Sequence, residues 1–366
     1  MLRYKVVIWT MLAAFVCAAA WPFIEWQLRE PRPLGIAVID KTVPQPDYRE
    51  HLGLFWVMEH EKITNPAAGK LYRIREDYLG FDPRAGSGDV SMDIPPDTKL
   101  IYIADTYGVY SADLRGNPRG VRSSLIYGGL NIFDWNRIMA AKDDDVTLVM
   151  EFNSLATPTD ELTRSVVERN FNFAWTGWIG RYFPDMQSAE VPVWMRDNYE
   201  QQYGEPWEFT GPGIAFVDVS DLVVVFTEED FAGKVRFVLT EEGRQRYPLA
   251  RDSLYLYWFD VIVPGDTLVT DAEFRVDWTE QGLEKLGKFG LPDRFPAVLR
   301  DSDRNMYYFA GDFADIRVRY WSRWRMPLWF FRFMAYILKD ESFFWNSYVH
   351  MMKEIVREAG AGGIGR

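Results

Sequence analysis

The chain has 366 residues, of which 48% are hydrophobic, 16% aromatic and 26% charged. This composition is typical of a globular protein with a large core and argues against a mostly disordered chain. The formal net charge of −12 argues against a general nucleic-acid-binding protein, because such proteins present a basic surface to phosphates.

An apolar run occupies residues 6–24, VVIWTMLAAFVCAAAWPFI, between Lys5 and Glu25. A helix of about 20 apolar residues crosses a bilayer, so this run is long enough to span one. Arg3 and Lys5 precede it, which favours a cytoplasmic N-terminus and an extracytoplasmic body. We therefore predict a single-pass cell-membrane protein with a short cytoplasmic tail (residues 1–5), a lipid-embedded anchor (residues 6–24) and a linker (residues 25–34).

Alternative interpretations of the same run are a cleaved signal peptide and a buried core helix. Ala18 and Ala20 are small residues of the kind that precede a cleavage site. Cys17, the only cysteine of the chain, also lies in the run. An internal disulfide is therefore impossible, and a cysteine nucleophile is excluded from the body of the protein.

Between residues 35 and 205, short apolar runs alternate with amphipathic stretches. The strand candidates are GIAVID, KLIYIADTYGVY and VTLVMEF, and the helix candidates are YREHLGLFWVMEHEKI, GGLNIFDWNRIMAAK and TPTDELTRSVVERNF. Thr157 or Thr159 is the expected N-cap of the last helix. This alternation predicts an α/β domain with a mostly parallel sheet and helices on both faces. Residues 64–96 are rich in glycine, proline and aspartate, which predicts a loop excursion.

Residues 206–315 have a different, β-rich texture. Strands are expected in GIAFVDVSDLVVVF, KVRFVL, SLYLYWFDVIV and MYYFAGDFAD, and a short helix in TEQGLEKLGKFG. This part belongs either to the same domain or to a second one.

Residues 316–338 form an Arg/Trp-rich segment for which an amphipathic helix is predicted, and a C-terminal helix and tail follow at residues 339–366. Arginine and tryptophan together favour the headgroup layer of a bilayer, so residues 317–338 are a candidate lipid contact. The alternatives are packing on the domain's own core and contact with a protein partner.

Carboxylates follow several of the predicted strands: Asp40, Asp105, Glu151, Asp218 and Asp260. Ligands of parallel α/β sheets bind at the carboxyl ends of the strands, so acids there can converge on one crevice. We take Asp40, Asp105 and Glu151 as candidate catalytic residues, because two carboxyls with separated pKa values suffice for glycoside hydrolysis. Aspartate also favours turns and caps helices, an explanation that weighs more for Asp218 and Asp260.

Aromatic residues are abundant, with 15 tryptophans and 19 tyrosines, and they suit either a core or a platform for sugar rings. Candidate ligand-binding residues are Tyr107, Trp175, Trp178 and Arg181. The chain has three histidines, of which His51 and His60 are nine positions apart rather than at the spacing of zinc ligands on a helix. No phosphate-binding glycine motif follows a strand, and we predict neither a metal nor a cofactor.

The order GIAVIDKTV, helix, LIYIADTYGVY, GGLNIFDWNRIMAA and VTLVMEFNS resembles the type-1 glutamine-amidotransferase-like α/β domain over about residues 35–183. The segment ADTYG is similar to the second-strand edge of that family. The resemblance implies a flavodoxin-like parallel sheet. Active members of the family share a cysteine nucleophile and a histidine partner, and neither stands at a matching position here, so the resemblance implies a degenerate binding or scaffolding relative. A (β/α) barrel of the glycosidase kind is the competing analogy.

These features together predict a non-catalytic envelope protein that binds or organises a polysaccharide or its export machinery. One alternative is a carbohydrate-active hydrolase that uses Glu151 with Asp40 or Asp105. The other is an assembly subunit that binds envelope proteins through the Arg/Trp-rich segment.

Overall fold

The computed structural model describes residues 2–88, 92–117, 119–317, 328–338 and 343–361. The helices are α1 Leu2–Leu28, α2 Arg49–His60, α3 Ile132–Ala141, α4 Glu161–Phe171, α5 Val193–Tyr203, α6 Glu241–Arg246, α7 Glu280–Lys288, α8 Leu328–Leu338 and α9 Val349–Ala361, with a 3₁₀ turn at Asp113–Arg115 and a π turn at Phe344–Tyr348. The strands are β1 Arg32–Pro33, β2 Gly35–Asp40, β3 Ile63–Asn65, β4 Lys70–Leu71, β5 Leu79–Asp82, β6 Ser87–Gly88, β7 Thr98–Asp105, β8 Val109–Tyr110, β9 Leu125–Tyr127, β10 Thr147–Glu151, β11 Phe173–Phe183, β12 Gly213–Asp218, β13 Val223–Phe226, β14 Phe231–Leu239, β15 Ser253–Leu254, β16 Trp258–Pro264, β17 Val269–Trp278, β18 Phe295–Asp301 and β19 Met306–Phe309.

The main sheet has the strand order β15-β14-β17-β18-β19-β10-β7-β2-β5-β6. Its central strands β5, β2, β7, β10 and β19 are parallel, and every other pairing in the sheet is antiparallel. The α/β class is thus confirmed, but the sheet is mixed rather than mostly parallel. The physical reason is that the β-rich part of the chain does not stand apart: β14, β15, β17 and β18 extend the edge of the sheet beyond β19.

The parallel strands, numbered as they follow one another in the chain, lie in the order 2-1-3-4-5, which is one of the common orders of doubly wound sheets. From β2 the chain first adds β5 on one side of β2 and then crosses back to add β7 on the other side. The direction of winding therefore reverses between the neighbours β2 and β7. In sheets of this kind the crevice for ligands opens at that reversal, outside the carboxyl ends of the strands.

Helices cover both faces of the main sheet. The Tyr307 hydroxyl accepts a hydrogen bond from Arg246, which also binds Glu358 of α9. The next residue, Tyr308, packs its ring against Phe171 of α4 at 5.9 Å between centroids. Successive strand residues point to opposite faces, so α9 and α4 lie on opposite sides of the sheet.

A second, antiparallel sheet in the order β13-β12-β11-β16 packs beside the end of β19. The Asp260 amide donates to the Ala310 carbonyl oxygen at 2.7 Å, and Phe259 forms an isolated bridge with Gly311. The glycine-broken stretch FNFAWTGWIGRYF becomes β11, with a register shift between Trp175 and Ile179. The second sheet thereby covers one side of the carboxyl edge.

The expected N-cap of α4 is wrong by a few residues. Asp160 takes that position, and its carboxylate accepts hydrogen bonds from both the amide and the hydroxyl of Thr163. Thr159 cannot serve, because its hydroxyl donates to the Ser154 carbonyl oxygen and accepts from the Leu130 amide. The Thr159 hydroxyl, which the local sequence pattern assigned to the cap of α4, is therefore used in contacts outside that helix.

Within the described ranges, α1 is the helix long and apolar enough to cross a membrane. Its window Tyr4–Trp21 has a mean hydropathy of 1.6 and none of it is buried against the rest of the chain. The C-terminal end of α1 is tied to the end of α2. Trp26 Nε1 donates to the Glu59 carbonyl oxygen at 3.1 Å, and Lys62 Nζ binds three carbonyl oxygens in residues 26–29.

Only part of the Arg/Trp-rich segment falls in the described ranges, because residues 318–327 lie outside them. Its described helical part is α8. Phe331 of α8 stacks on Trp345 at 4.8 Å and meets the edge of Trp56 from α2 at 5.3 Å between ring centroids. One face of this helix therefore packs on the domain.

Candidate functional site

Asp40 and Asp105 lie side by side at the reversal between β2 and β7, where they are register partners. Their neighbouring positions follow from the parallel pairing, since the carboxyl ends of adjacent strands meet at one edge. The sequence predicted that acids gather at this edge, and Asp40 and Asp105 are the two that lie next to each other. The polar groups around each of them determine what each can do.

The Asp40 side chain has no exposed surface, and both of its oxygens have partners. Oδ1 accepts the Thr42 amide at 2.9 Å, and Oδ2 lies 2.5 Å from His51 Nδ1. His51 Nε2 lies 3.1 Å from the Ile74 carbonyl oxygen. The pair thus joins the end of β2 to α2 and to the loop after β4, and no substrate atom can reach it.

Asp105 lies at the end of β7 and is 9% exposed, more than Asp40 or Glu151. Oδ1 accepts from the Thr42 hydroxyl at 2.6 Å and from the Tyr107 amide at 2.7 Å, and Oδ2 accepts from Asn153 Nδ2 at 3.0 Å. Burial, followed by the charge of Asp40, raises the pKa of Asp105 to about 8. A carboxyl with such a pKa is largely protonated at neutral pH.

Glu151 points away from the crevice into the core beneath α9. It is 1% exposed, and Oε2 accepts the amides of Phe313 and Ala314 at 3.2 and 3.1 Å. The Tyr102 hydroxyl donates to Oε1 and also meets the Tyr348 hydroxyl of the π turn at 2.8 Å. Burial raises the pKa of Glu151 to about 8, although these hydrogen bonds lower it. Its catalytic role stays a prediction, and a carboxyl clasped on both oxygens is poorly placed for it.

Two further acids, Asp312 and Asp315, join the carboxyl edge and were missed in the sequence. Both follow β19, and Asp315 forms an ion pair of 2.6 Å with Arg49 at the start of α2. Burial and the charge of Asp315 raise the pKa of the half-buried Asp312 well above its ordinary value. The segment MYYFAGDFAD could have identified Asp312 and Asp315, because acids follow a predicted strand there as they follow β2 and β7.

Exposed and half-buried aromatic rings interleaved with arginines border the acids, and we name this row the aromatic strip: Tyr107, Tyr110, Arg122, Trp194, Trp258 and Arg181. It begins at Tyr107, which is 37% exposed and whose ring lies 4.9 Å from that of Tyr110. Arg122 stacks over Trp194 at 5.4 Å, and Trp194 stacks on Trp258 at 6.4 Å. At the far end Arg181 lies over Trp258 at 5.8 Å.

Both arginines of the strip are held by carboxylates. Arg122 binds Asp221 of the β12–β13 turn at 2.8 Å, and Arg181 binds Glu190 at 2.7 Å. Burial lowers the pKa of Arg181, against the nearby charges of Glu190 and Asp312, which raise it. The ion pairs fix the guanidinium planes against the rings, so the strip is a preformed surface rather than a set of independent side chains.

Close backbone contact keeps Tyr107 in place. Gly108 and Gly128 have φ angles of 107° and 147°, and a Cβ on Gly108 would lie 2.2 Å from the Tyr127 carbonyl oxygen. The Gly108 amide also donates to the Thr42 hydroxyl at 2.7 Å, the same hydroxyl that binds Asp105. The start of the strip is therefore coupled directly to the acids.

Two of the predicted ligand-binding residues, Tyr107 and Arg181, lie on the strip. The other two, Trp175 and Trp178, are 9% and 8% exposed in the bulged region of β11. Trp175 Nε1 donates to the Trp178 carbonyl oxygen at 3.1 Å, and the ring of Trp178 packs on Phe289. Both are buried in the main hydrophobic core, on the face of the second sheet that packs towards the main sheet. Trp194, Trp258 and Arg122 were missed because distant segments bring them together.

Asp218 and Asp260 do not join the acids of the carboxyl edge. Asp218 Oδ1 accepts the amides of Ser220 and Leu222 and so shapes the β12–β13 turn, as expected for a turn-forming aspartate. Asp260 is buried, and its Oδ2 accepts the Tyr308 hydroxyl at 2.5 Å. Burial raises the pKa of Asp260 to about 7. Both carboxyls are therefore parts of the framework.

In the part of the chain that the structure describes, no three His, Cys, Asp or Glu side chains are grouped so that they could hold a metal ion. No protein-family model matches the sequence, and no curated protein sequence matches it significantly.

Proposed function

We propose that this chain is a membrane-anchored, extracytoplasmic α/β protein that binds a cell-envelope polysaccharide along the aromatic strip and catalyses no reaction of its own. The anchor is α1, and Arg3 and Lys5 before its apolar stretch favour a cytoplasmic N-terminus. The single observation that carries the proposal is the strip at the carboxyl edge of the parallel strands.

The chemistry of the strip suits a sugar polymer. The faces of sugar rings carry C–H groups that pack on aromatic rings, and their hydroxyls accept and donate hydrogen bonds. Tyr107 offers a stacking surface, and Arg122 and Asp221, with side chains 55% and 45% exposed, supply donors and acceptors beside it. A row of such groups fits an extended chain better than a single small molecule.

The position of the strip also suits an envelope ligand. β2 begins shortly after α1 ends, so the amino ends of the parallel strands face the anchor. The carboxyl ends, with the strip, lie at the opposite end of the sheet. A polymer outside the membrane would therefore have access to them.

The burial and hydrogen bonding of Asp40 and Glu151 support a protein without a reaction of its own. Asp40 and Glu151 are fully enclosed, and each carboxyl oxygen has a partner inside the protein. A glycosidase needs two carboxyls that face the same scissile bond, about 5–9.5 Å apart. The observed bonds explain these residues as links between strands, helices and loops.

A hydrolase is the second candidate function, and Asp105 is the residue that favours it. It is the most exposed of the acids Asp40, Asp105 and Glu151, and its raised pKa of about 8 is that of a general acid. In this alternative Asp105→Asn abolishes hydrolysis while leaving polysaccharide binding intact.

Affinity gel electrophoresis of the full-length protein in detergent tests the proposal, with dextran, xylan, chitosan and alginate as probes. Replacing a central aromatic contact costs about 2 kcal/mol, which is about 30-fold in affinity, so Tyr107→Ala and Trp194→Ala should each abolish retardation. Phe133→Ala is the matched control, since Phe133 is 75% exposed on α3 outside the strip. Equal retardation of all three variants by a polymer that binds the wild type would contradict the proposal.

A further inference from the structure

The junction between α1 and the domain lies within the lipid headgroup layer if residues 6–24 span the hydrocarbon. Residues 25–28 continue the same helix and rise only about 6 Å beyond it. The headgroup layer of one leaflet is about 5–7 Å thick. Trp26 contacts Glu59 within this short stretch, so the last turn of α2 lies at the membrane surface.

α8 lies beside that last turn. Trp56, one turn before the end of α2, stacks on His60 at 4.9 Å and meets the edge of Phe331 from α8 at 5.3 Å. The same α2 segment thus contacts the end of the anchor on one side and α8 on the other. This places α8 near the level at which α1 leaves the membrane.

The face of α8 turned away from the domain is apolar and exposed. Phe333, Tyr336 and Ile337 are 54%, 82% and 55% exposed, and they share one helix face at spacings of three and four residues. Phe331 and Ala335 on the inner face are buried. An exposed apolar face beside a membrane anchor is typical of a helix that lies in the plane of the interface.

Basic groups flank α8 along the line where it meets the domain. Arg332 Nε donates to Asn346 Oδ1 at 3.0 Å, and the Arg251 amide donates to the Asn346 carbonyl oxygen at 2.9 Å. Among the described residues no carboxylate forms an ion pair with Arg251 or Arg332, whereas Lys353 binds Glu61. Burial and the charges of Arg332, Lys353 and Arg251 lower the pKa of His350 to about 4. Among the described residues, no ion pair therefore neutralises the positive potential of Arg251 and Arg332 beside α8.

We propose that the exposed face of α8 docks on the surface of the bilayer that holds α1, with Arg251 and Arg332 facing the phosphates of anionic phospholipids. The domain is then held by two contacts, a spanning helix and an in-plane helix, and its carboxyl edge is directed away from the membrane. The inference rests on α1 spanning the bilayer, which is part of the proposed function.

The test uses full-length protein in nanodiscs with one copy per disc, in a Cys17→Ser background. An environment-sensitive fluorophore is attached at Tyr336→Cys and, as the matched control, at Leu162→Cys, which is 64% exposed at the start of α4 at the opposite edge of the sheet. The label at position 336 should emit at shorter wavelength, be quenched by lipids with a nitroxide near the headgroup, and be quenched by aqueous iodide several-fold less than the label at position 162.

Lipid composition separates the contribution of charge. Phosphatidylglycerol in a phosphatidylcholine disc should increase the protection of position 336, and Arg251→Gln with Arg332→Gln should remove that increase. Inorganic phosphate added to phosphatidylcholine discs should have no effect. If it reproduced the increase, the cations would form a site for a free anion rather than for lipid.

Two outcomes overturn the inference in distinguishable ways. A protein that enters nanodiscs while both labels remain equally open to iodide contradicts α8 docking and leaves the anchor intact. A protein that does not enter nanodiscs contradicts the anchor itself. Phe333→Asp with Ile337→Asp, both on the exposed face, should return the label at position 336 to water without unfolding the domain.

Discussion

Asp40 Oδ2 and His51 Nδ1 lie 2.5 Å apart in a pair of side chains that have no exposed surface. His51 Nε2 faces the Ile74 carbonyl oxygen, so Nε2 carries a hydrogen and donates it. One further proton must then lie between Nδ1 and Oδ2. The pair is electrically neutral as a unit whichever atom holds that proton, which explains how both groups are tolerated in the core.

Removing the carboxyl of Asp40 should destabilise the protein strongly. Asp40→Ala leaves His51 Nδ1 and the Thr42 amide without partners, and loss of one member of a buried pair costs about 3 kcal/mol. Asp40→Asn should cost less, because its amide can donate to Nδ1 while its oxygen keeps the Thr42 amide. Urea unfolding of the full-length protein in detergent measures both, with Asp82→Ala at a partly exposed surface position as the control. Equal losses for Ala and Asn would contradict this account, because the hydrogen bonds that Asn retains would then contribute nothing to stability.

The free energy of unfolding should fall as the pH rises towards about 8. Burial raises the pKa of Glu151 and of Asp105 to about 8, so the folded protein binds protons that the unfolded chain has already released above pH ~4.5. This stabilisation is complete below the unfolded pKa and is lost as the pH rises through the folded pKa. Glu151→Gln keeps the shape without the charge and should flatten the pH dependence.

Urea unfolding at pH 5, 6.5 and 8 measures this dependence. Glu284→Gln is the control, because Glu284 lies on the surface of α7 and pairs with Lys288. His350, with its lowered pKa, has the opposite effect below pH ~6.5, so the decisive interval is pH 6.5 to 8. A wild-type protein that gains stability over that interval would show that Glu151 and Asp105 are ionised in the fold.

Gly108→Ala should damage the start of the aromatic strip. Gly108 has a φ of 107°, and a Cβ there would lie 2.2 Å from the Tyr127 carbonyl oxygen, so the backbone beside Tyr107 must move. A strained backbone and an overpacked contact together cost about 3 kcal/mol. Gly287→Ala is the matched control, because Gly287 lies in α7 outside the left-handed region and nothing lies within 4 Å of the added carbon. Thermal melting and polysaccharide retardation should both be impaired in the first variant and nearly unchanged in the second.

Local patterns predicted the elements well where burial and periodicity agree. GIAVID is β2 from its first residue to its last, and the helix candidate YREHLGLFWVMEHEKI contains α2. β17 and β18 escaped detection although they join the main sheet beside β19. Their alternation is interrupted by register shifts between residues 270 and 273, which hide the period of two.

Of the acids at the strand ends, the positions of Asp40 and Asp105 could be predicted from the sequence, whereas the environment of Glu151 could not. That Asp40 and Asp105 would meet followed from parallel neighbours, and they are register partners. That Glu151 turns into the core did not follow, because its partners Tyr102, Phe313 and Ala314 come from another strand and a distant loop. Burial of a carboxyl depends on such long-range donors, which no window of sequence contains.

The sequence by itself determined the apolar N-terminal helix, the α/β class and the presence of acids after the strands, because each depends on neighbours along the chain. The tertiary structure decided that the β-rich part extends the main sheet and that the acids serve as internal ties. It also decided that Arg122, Trp194 and Trp258 line up beside Tyr107. The strip in particular depends on contacts between segments 60 or more residues apart, whose free energy exists only once the chain has folded.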